Sequence, residues 1–152
     1  MLFNIIFALS VCFVADFLWR RYKKNKQIKL LNNPDFLIEQ IEEKKAKFIP
    51  TVTKSFERSN WDVYADILKD VDHVESQFLQ LKERYVHDKE KLLNIIRDYD
   101  NYLASQSTLY WAWRSLDVDL EDGASDRFDD EAKEPRIRIS EIKKRFDKLS
   151  KE

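Results

Sequence analysis

The sequence predicts an all-α protein: a single N-terminal transmembrane helix followed by a cytosolic helical hairpin or coiled-coil bundle. Three observations predict it. Residues 2–18 are almost wholly Leu, Ile, Val, Phe and Ala, and a basic run follows at once. The whole chain holds one Gly and three Pro, too few for a turn-rich β fold. From Tyr64 to Trp113 the apolar residues recur at alternating steps of three and four.

The apolar leader, residues 1–19, is interrupted only by Asn4, Ser10, Cys12 and Asp16. About 18 helical residues at 1.5 Å each cover roughly 27 Å, close to the ~30 Å hydrocarbon core of a bilayer. A cleaved signal peptide would need a basic start and a small-residue cleavage site, and neither is present in the right place. Cys12 is too poorly flanked for a lipoprotein signal, because Val11 is too large. A buried helix of a soluble domain is a further alternative, but the run is apolar on every face. Behind it, the juxtamembrane collar 20–33 carries Arg20, Arg21, Lys23, Lys24, Lys26 and Lys29 before any acid. The positive-inside rule keeps this collar cytosolic and sends the amino terminus across. Trp19, Arg20, Arg21, Tyr22, Lys23, Lys24 and Lys26 are the residues expected at the membrane interface. The expected location is the cell (cytoplasmic or inner) membrane, single-pass, with the C-terminal domain in the cytosol.

Residues 34–116 form the expected helical coiled-coil or bundle domain. Asn33 can cap, Pro34 suits the first helical position and Asp35 faces the positive end of the helix dipole. This helix is expected to run to about Phe48 and to stop at Pro50. Beyond it, Tyr64, Ile67, Val71, Val74, Phe78, Leu81 and Tyr85 make one seam; Leu92, Ile95, Tyr99, Tyr102, Gln106, Leu109 and Trp113 make a second in the same phase. Two structures fit residues 51–116: one continuous rod, or a hairpin turning near Val86-His87-Asp88-Lys89. The hairpin is favoured, since Asp88 can cap a second helix. Leu68, Leu93, Ile96, Leu103 and Tyr110 also widen the stripe beyond what a two-stranded coil buries.

Residues 117–134 hold nine acids and two bases, and the one Gly lies at 123. The stretch 117–135 therefore reads as a solvated, mobile acidic linker. Residues 136–152 read as a basic amphipathic C-terminal helix with Ile139, Ile142, Phe146 and Leu149 on its apolar face.

Composition narrows the function. A formal net charge of −1 gives no global case for nucleic-acid binding. The single cysteine excludes an intrachain disulfide and a cysteine-based zinc site. A calcium loop starting at Asp117 would need Gly sixth and Glu twelfth, where Asp122 and Phe128 stand. His73 and His87 do not form a metal-ligating pair. No Gly-rich phosphate loop or strained nucleophile turn is available, so no catalytic, metal or cofactor residue is assigned, no cofactor is expected and the chain is read as not an enzyme. No small-molecule substrate is evident.

Two features point to protein contact. In Leu109-Tyr110-Trp111-Ala112-Trp113-Arg114, Trp113 falls on the seam but Trp111 lies about 200° away around the helix. If that face is open, Trp111 with Arg114 is a partner anchor; otherwise Trp111 packs under the linker or on another helix. Asp62, Asp66 and Asp70 form an i, i+4, i+8 acid stripe. It is either a solvated face or a docking strip for the basic tail helix or a partner. The expected function is a membrane-tethered helical scaffold or adaptor, or a small subunit of a membrane complex. Its partners are then lipid, through residues 1–26, and a protein or a second copy through the helical domain. The alternatives are a phage- or toxin-type membrane effector that oligomerises through its coil and, last, an enzyme of unrecognised type.

Overall fold

A computed structural model of the 152-residue chain describes residues 18–26, 28–118 and 124–152. The described residues are helical apart from short turns, with no strand among them. Among the described residues five helices follow in order: α1 (helical at 18–26 and 28–30), α2 (Pro34–Ser59), α3 (Asp62–Arg84), α4 (Lys89–Val118) and α5 (Ala124–Lys151). Among the described residues no helix is long and apolar enough to cross a membrane. The leader read as an anchor, 1–19, lies outside them except for Leu18 and Trp19.

Each start and stop has a local cause. Asn33 takes the extended conformation and its side chain accepts from the Asp35 amide at 3.1 Å, with Pro34 on the first turn. The α2 helix does not stop at Pro50, as the sequence suggested, but continues to Ser59. Proline removes the N–H that would bond the Ala46 carbonyl, and inside a helix this costs about 3 kcal/mol. Burial on the far side outweighs it: Val52 and Ser55 lie in the core, with Phe48 and Phe56 packed beside them. Pro50 itself is exposed, so its ring displaces no packing. The helix ends at Asn60, the one non-glycine residue with positive φ among those described (φ 52°, ψ 31°), whose amide bonds back to the Phe56 carbonyl. Asparagine reaches the left-handed region more cheaply than a β-branched residue would. The expected rod or hairpin over 51–116 is corrected here: Thr51–Ser59 belongs to α2, and the hairpin is α3 with α4.

That hairpin turns through Tyr85–Asp88. The Asp88 side chain accepts from the Lys91 amide at 3.1 Å and its carbonyl accepts from Leu92 at 2.8 Å, which starts α4. The two seams meet as Phe78 stacks on Tyr99 (ring centroids 4.2 Å apart) and Tyr64 tilts against Tyr110 (5.7 Å). Early α3 therefore faces late α4, an antiparallel pair. The α2 helix runs parallel to α4, with Lys44 beside Asp100 and Ser55 beside Tyr110. The α5 helix runs back down α4, from Trp113–Phe128 contact to the Arg145–Asp98 ion pair. The result is an up-down-up-down bundle in which α2 and α5 each pack on both arms of the α3–α4 hairpin. Because α4 meets all three neighbours, it buries residues around much of its circumference: Leu92, Leu93, Ile95, Ile96, Tyr99, Tyr102 and Leu103.

The acidic linker is the second correction. Residues 124–135 are helical and belong to α5. Phe128, Ala132 and Pro135 are buried on the same line as Ile139, Ile142 and Phe146. Steps of 4, 3, 4, 3 and 4 continue one heptad stripe straight through the proline. The acids occupy the rest of the surface: Asp129, Asp130, Glu131 and Glu134 are all exposed. Charge density set the expected linker, but three small or aromatic residues on one face suffice to dock the segment on α4.

Candidate functional site

Parallel packing of α2 and α4 leaves a cleft between them of about 350 Å³. From α2 come Lys44, Lys45, Lys47, Phe48 and Thr51; from α4 come Leu103, Ala104, Ser107, Tyr110 and Trp111. Both sets follow the helical repeat, so each is one face of its helix. Tyr110 is the pivot. It is 2% exposed, shares a 2.8 Å hydrogen bond with Ser55, and meets Phe48 edge-on at 6.0 Å. Trp111 stands beside it, edge-to-face at 5.0 Å, yet remains 57% exposed.

The three lysines bring their aliphatic stems to the cleft while their ammonium groups are tied elsewhere. Lys44 bonds Asp100 at 2.5 Å, bridging α2 to α4, and Lys47 bonds Glu43 at 2.6 Å. Lys45 sits between Glu75 at 2.5 Å and Glu42 at 3.0 Å. Burial alone would lower the Lys45 pKa, but the hydrogen bonds to Glu75 and Glu42 outweigh it, so the ammonium is held charged. The Lys47 ammonium likewise lowers the Glu43 carboxyl below its ordinary range. Exposed pairs such as Lys44–Asp100 and Lys47–Glu43 are screened by water and hold their partners only weakly. An incoming carboxylate can therefore take the place of Asp100 or Glu43. The chemistry available is apolar contact, hydrogen bonding through Thr51 and Ser107, and exchangeable ion pairs. It is the chemistry of binding.

Trp111 thus lies on an open face. Arg114 is half-buried one turn on and does not line the cleft with it. The acid stripe divides. Asp62 and Asp66 are exposed on α3. Asp70 turns inward, where it accepts from Tyr102 at 2.9 Å, from Gln106 at 2.8 Å and from Lys143 of the tail helix. Its carboxylate is occupied within the bundle, and of the readings offered for the stripe the bond to Lys143 matches, at Asp70, the docking of the basic tail helix. The interfacial residues Trp19, Arg20, Arg21, Tyr22, Lys23, Lys24 and Lys26 are all exposed on α1. There Trp19 and Tyr22 stack at 6.0 Å and the Lys23 ammonium lies 5.3 Å from the Trp19 ring centre. His73 and His87 are exposed, and the described residues contain no group of side chains that could hold a metal ion.

Comparison of the chain with protein families, with curated proteins and with solved structures finds no match.

Phe48, Thr51, Leu103 and Ser107 were not read from the sequence as lining a partner site. Their partnership joins helices some 55 residues apart, and α2 was expected to end before it reached the cleft. The signal that finds them is the continuation of Phe48 to Val52 and Ser55 at steps of four and three, across Pro50.

Proposed function

We propose that this chain is a membrane-tethered helical adaptor that acts by protein contact. In this reading the leader 1–19 spans the bilayer, the collar 20–26 lies against anionic headgroups, and the α2/α4 cleft receives an apolar side chain of a partner. The observation that carries it is Trp111. The neighbouring aromatic residues Tyr110 and Trp113 pack into the bundle, while this indole stands open beside a formed cleft. Tryptophan is among the residues most enriched at the hot spots of protein interfaces, where truncating one such side chain costs about 2 kcal/mol or more.

The apolar leader, the absence of acids in 20–29 and the exposure of every basic residue from Arg20 to Lys26 support the tether. Photo-crosslinking in intact membranes tests the whole reading. A crosslinker at Ser107 should capture a defined partner in the membrane fraction, and Trp111→Ala should abolish the adduct with the fold intact. An unchanged adduct in Trp111→Ala, or full-length chain found in the supernatant after high-speed centrifugation, rejects it.

A further inference from the structure

On the opposite side of the hairpin, α3 and α5 run parallel and are tied together along only part of their length. Lys143 bonds Asp70, Gln77 donates to Asp147 at 2.8 Å, and Arg84 donates to the carbonyls of Leu149 and Ser150, both at 3.1 Å. All of these lie from Asp70 towards the carboxyl ends of the two helices. Around and before the Asp70 level the helices face each other across a groove of about 730 Å³, which reaches as far as His73 and Asp147. Its floor is apolar, made by Ile67, Leu109, Trp113 and Ile139.

The rim is unlike that of the α2/α4 cleft, because among the described residues three of its four Lys and Arg cations are not spoken for, Lys143 alone being paired, with Asp70. Lys69 on α3 and Lys144 on α5 line opposite walls, and neither forms an ion pair among the described residues. Arg136 is held in place by aromatic rings, its guanidinium carbon 5.9 Å from the Trp113 ring centre and 5.0 Å from that of Phe128. It too has no carboxylate partner among the described residues. Of the carboxylates that line the groove, Asp70 is saturated by three donors and Asp147 accepts from Gln77. That leaves Asp66 as the one lining acid without a partner among the described residues. The wall also contains Gln106, 3% exposed, whose Oε1 is buried without a donor.

We infer that the α3/α5 groove is a binding site for a small aromatic anion, a flat apolar body carrying one phosphate or carboxylate. The volume falls within the ~300–1,000 Å³ typical of small-molecule sites, and clefts between bundle helices are a usual place for them. Trp113 and its apolar neighbours take the ring; Lys69, Arg136 and Lys144 supply the positive charge. Asp66 and Asp147 oppose the ligand, the neutral Gln77 amide leaving the Asp147 charge in place. Such a site is not legible in the sequence, because Lys69 and Lys144 are brought to one groove only by the fold.

The probe is 1-naphthyl phosphate, titrated calorimetrically into the full-length chain in lipid nanodiscs, with empty nanodiscs as the blank. Saturable one-to-one binding is expected, at least about tenfold tighter than that of inorganic phosphate or of uncharged 1-naphthalenemethanol, each of which lacks half of the recognition. Lys69→Glu and Lys144→Glu should each weaken it about fivefold or more. Asp66→Asn should tighten it, a change of opposite sign at an equally exposed position. Absence of saturable heat overturns the inference, as do equal affinity for inorganic phosphate and indifference to all three substitutions. A site that prefers an acidic peptide to naphthyl phosphate also overturns it.

Discussion

Tyr102 of α4 donates its hydroxyl to Asp70 of α3 at 2.9 Å, and that one carboxylate also receives Gln106 at 2.8 Å and Lys143 of α5. Three helices therefore converge on a single side chain. Gln106 in turn lies 3.0 Å from the Tyr102 hydroxyl, which closes the group into a ring of mutually supporting bonds. Tyr102 and Gln106 are fully or almost fully buried, so neither can turn to water if Asp70 is removed.

Asp70→Ala should for that reason lower stability by about 2–6 kcal/mol, since two buried donors lose this acceptor at roughly 1–3 kcal/mol each. Asp66→Ala, one turn away and exposed, should change it by less than about 0.5 kcal/mol. Urea unfolding of residues 27–152 reads both through the midpoint at constant slope. Equal midpoints for the two variants would show that the Asp70 ring contributes little.

Alkaline pH should unfold the bundle through its tyrosines. Burial pushes the Tyr99 and Tyr102 hydroxyls well above the ordinary value of 10.0, and nearby carboxylates, Glu75 for Tyr99 and Asp70 for Tyr102, add to it. The unfolded chain then loses these protons first. Stability is intact below the unfolded pKa of about 10 and falls above it, by about 1.4 kcal/mol per pH unit for each tyrosine. Denaturant curves taken on either side of pH 10 should show the decline, and Tyr99→Phe should halve its slope. The same variant should be no less stable near neutrality, because the Tyr99 hydroxyl is buried with no hydrogen-bond partner among the described residues.

Asn60 carries the α2–α3 corner in a left-handed conformation. Asn60→Gly should be tolerated within a few tenths of a kcal/mol. Asn60→Val should cost about 1–2 kcal/mol, from the clash of Cβ with the following carbonyl. Thermal melts of the two variants should separate by several degrees, and coincident melts would mean that the corner relaxes out of this region.

Pro50→Ala should stabilise the bundle, by up to about 3 kcal/mol, since it restores a donor to the Ala46 carbonyl and the exposed ring contributes no packing. Pro135→Ala is expected to give less, because that ring is buried in the α5 stripe. A loss of stability in Pro50→Ala would show that α2 needs the proline for its path around the core.

The sequence made the hairpin readable because both of its arms obey one rule. Tyr64 to Leu81 and Leu92 to Gln106 alternate in threes and fours, and the structure buries each of them. Asp88 as the cap of the second arm was legible for the same local reason. The flanking helices were harder to read. Local rules weigh Pro50 and the acids of 117–134 heavily, whereas burial of Val52, Ser55, Phe128 and Ala132 depends on neighbours that the sequence does not place. In α5 the stripe was present in the letters, but Ala132 and Pro135 do not register as apolar anchors until α4 is set against them. The candidate site was half legible: Trp111 could be named from its angle to Trp113, while its cleft required α2 to run past a residue that normally ends helices.

The arrangement of helix ends sets a height. The chain enters the bundle where Arg97 grips the Leu31 carbonyl at 3.3 Å and the Asn32 side chain at 2.8 Å, and the carboxyl terminus returns to the same pole beside Tyr85. Trp111 lies fourteen residues further along α4, about 21 Å away along the axis at 1.5 Å per residue. For a chain tethered through its leader, the open indole is carried like a hook on a short mast, clear of the lipid headgroups. If the proposed tether holds the bundle upright on a bilayer, a partner fixed in that bilayer reaches the indole only by rising some two nanometres from it, and the stature of a binding protein then joins its sequence as a criterion of selection.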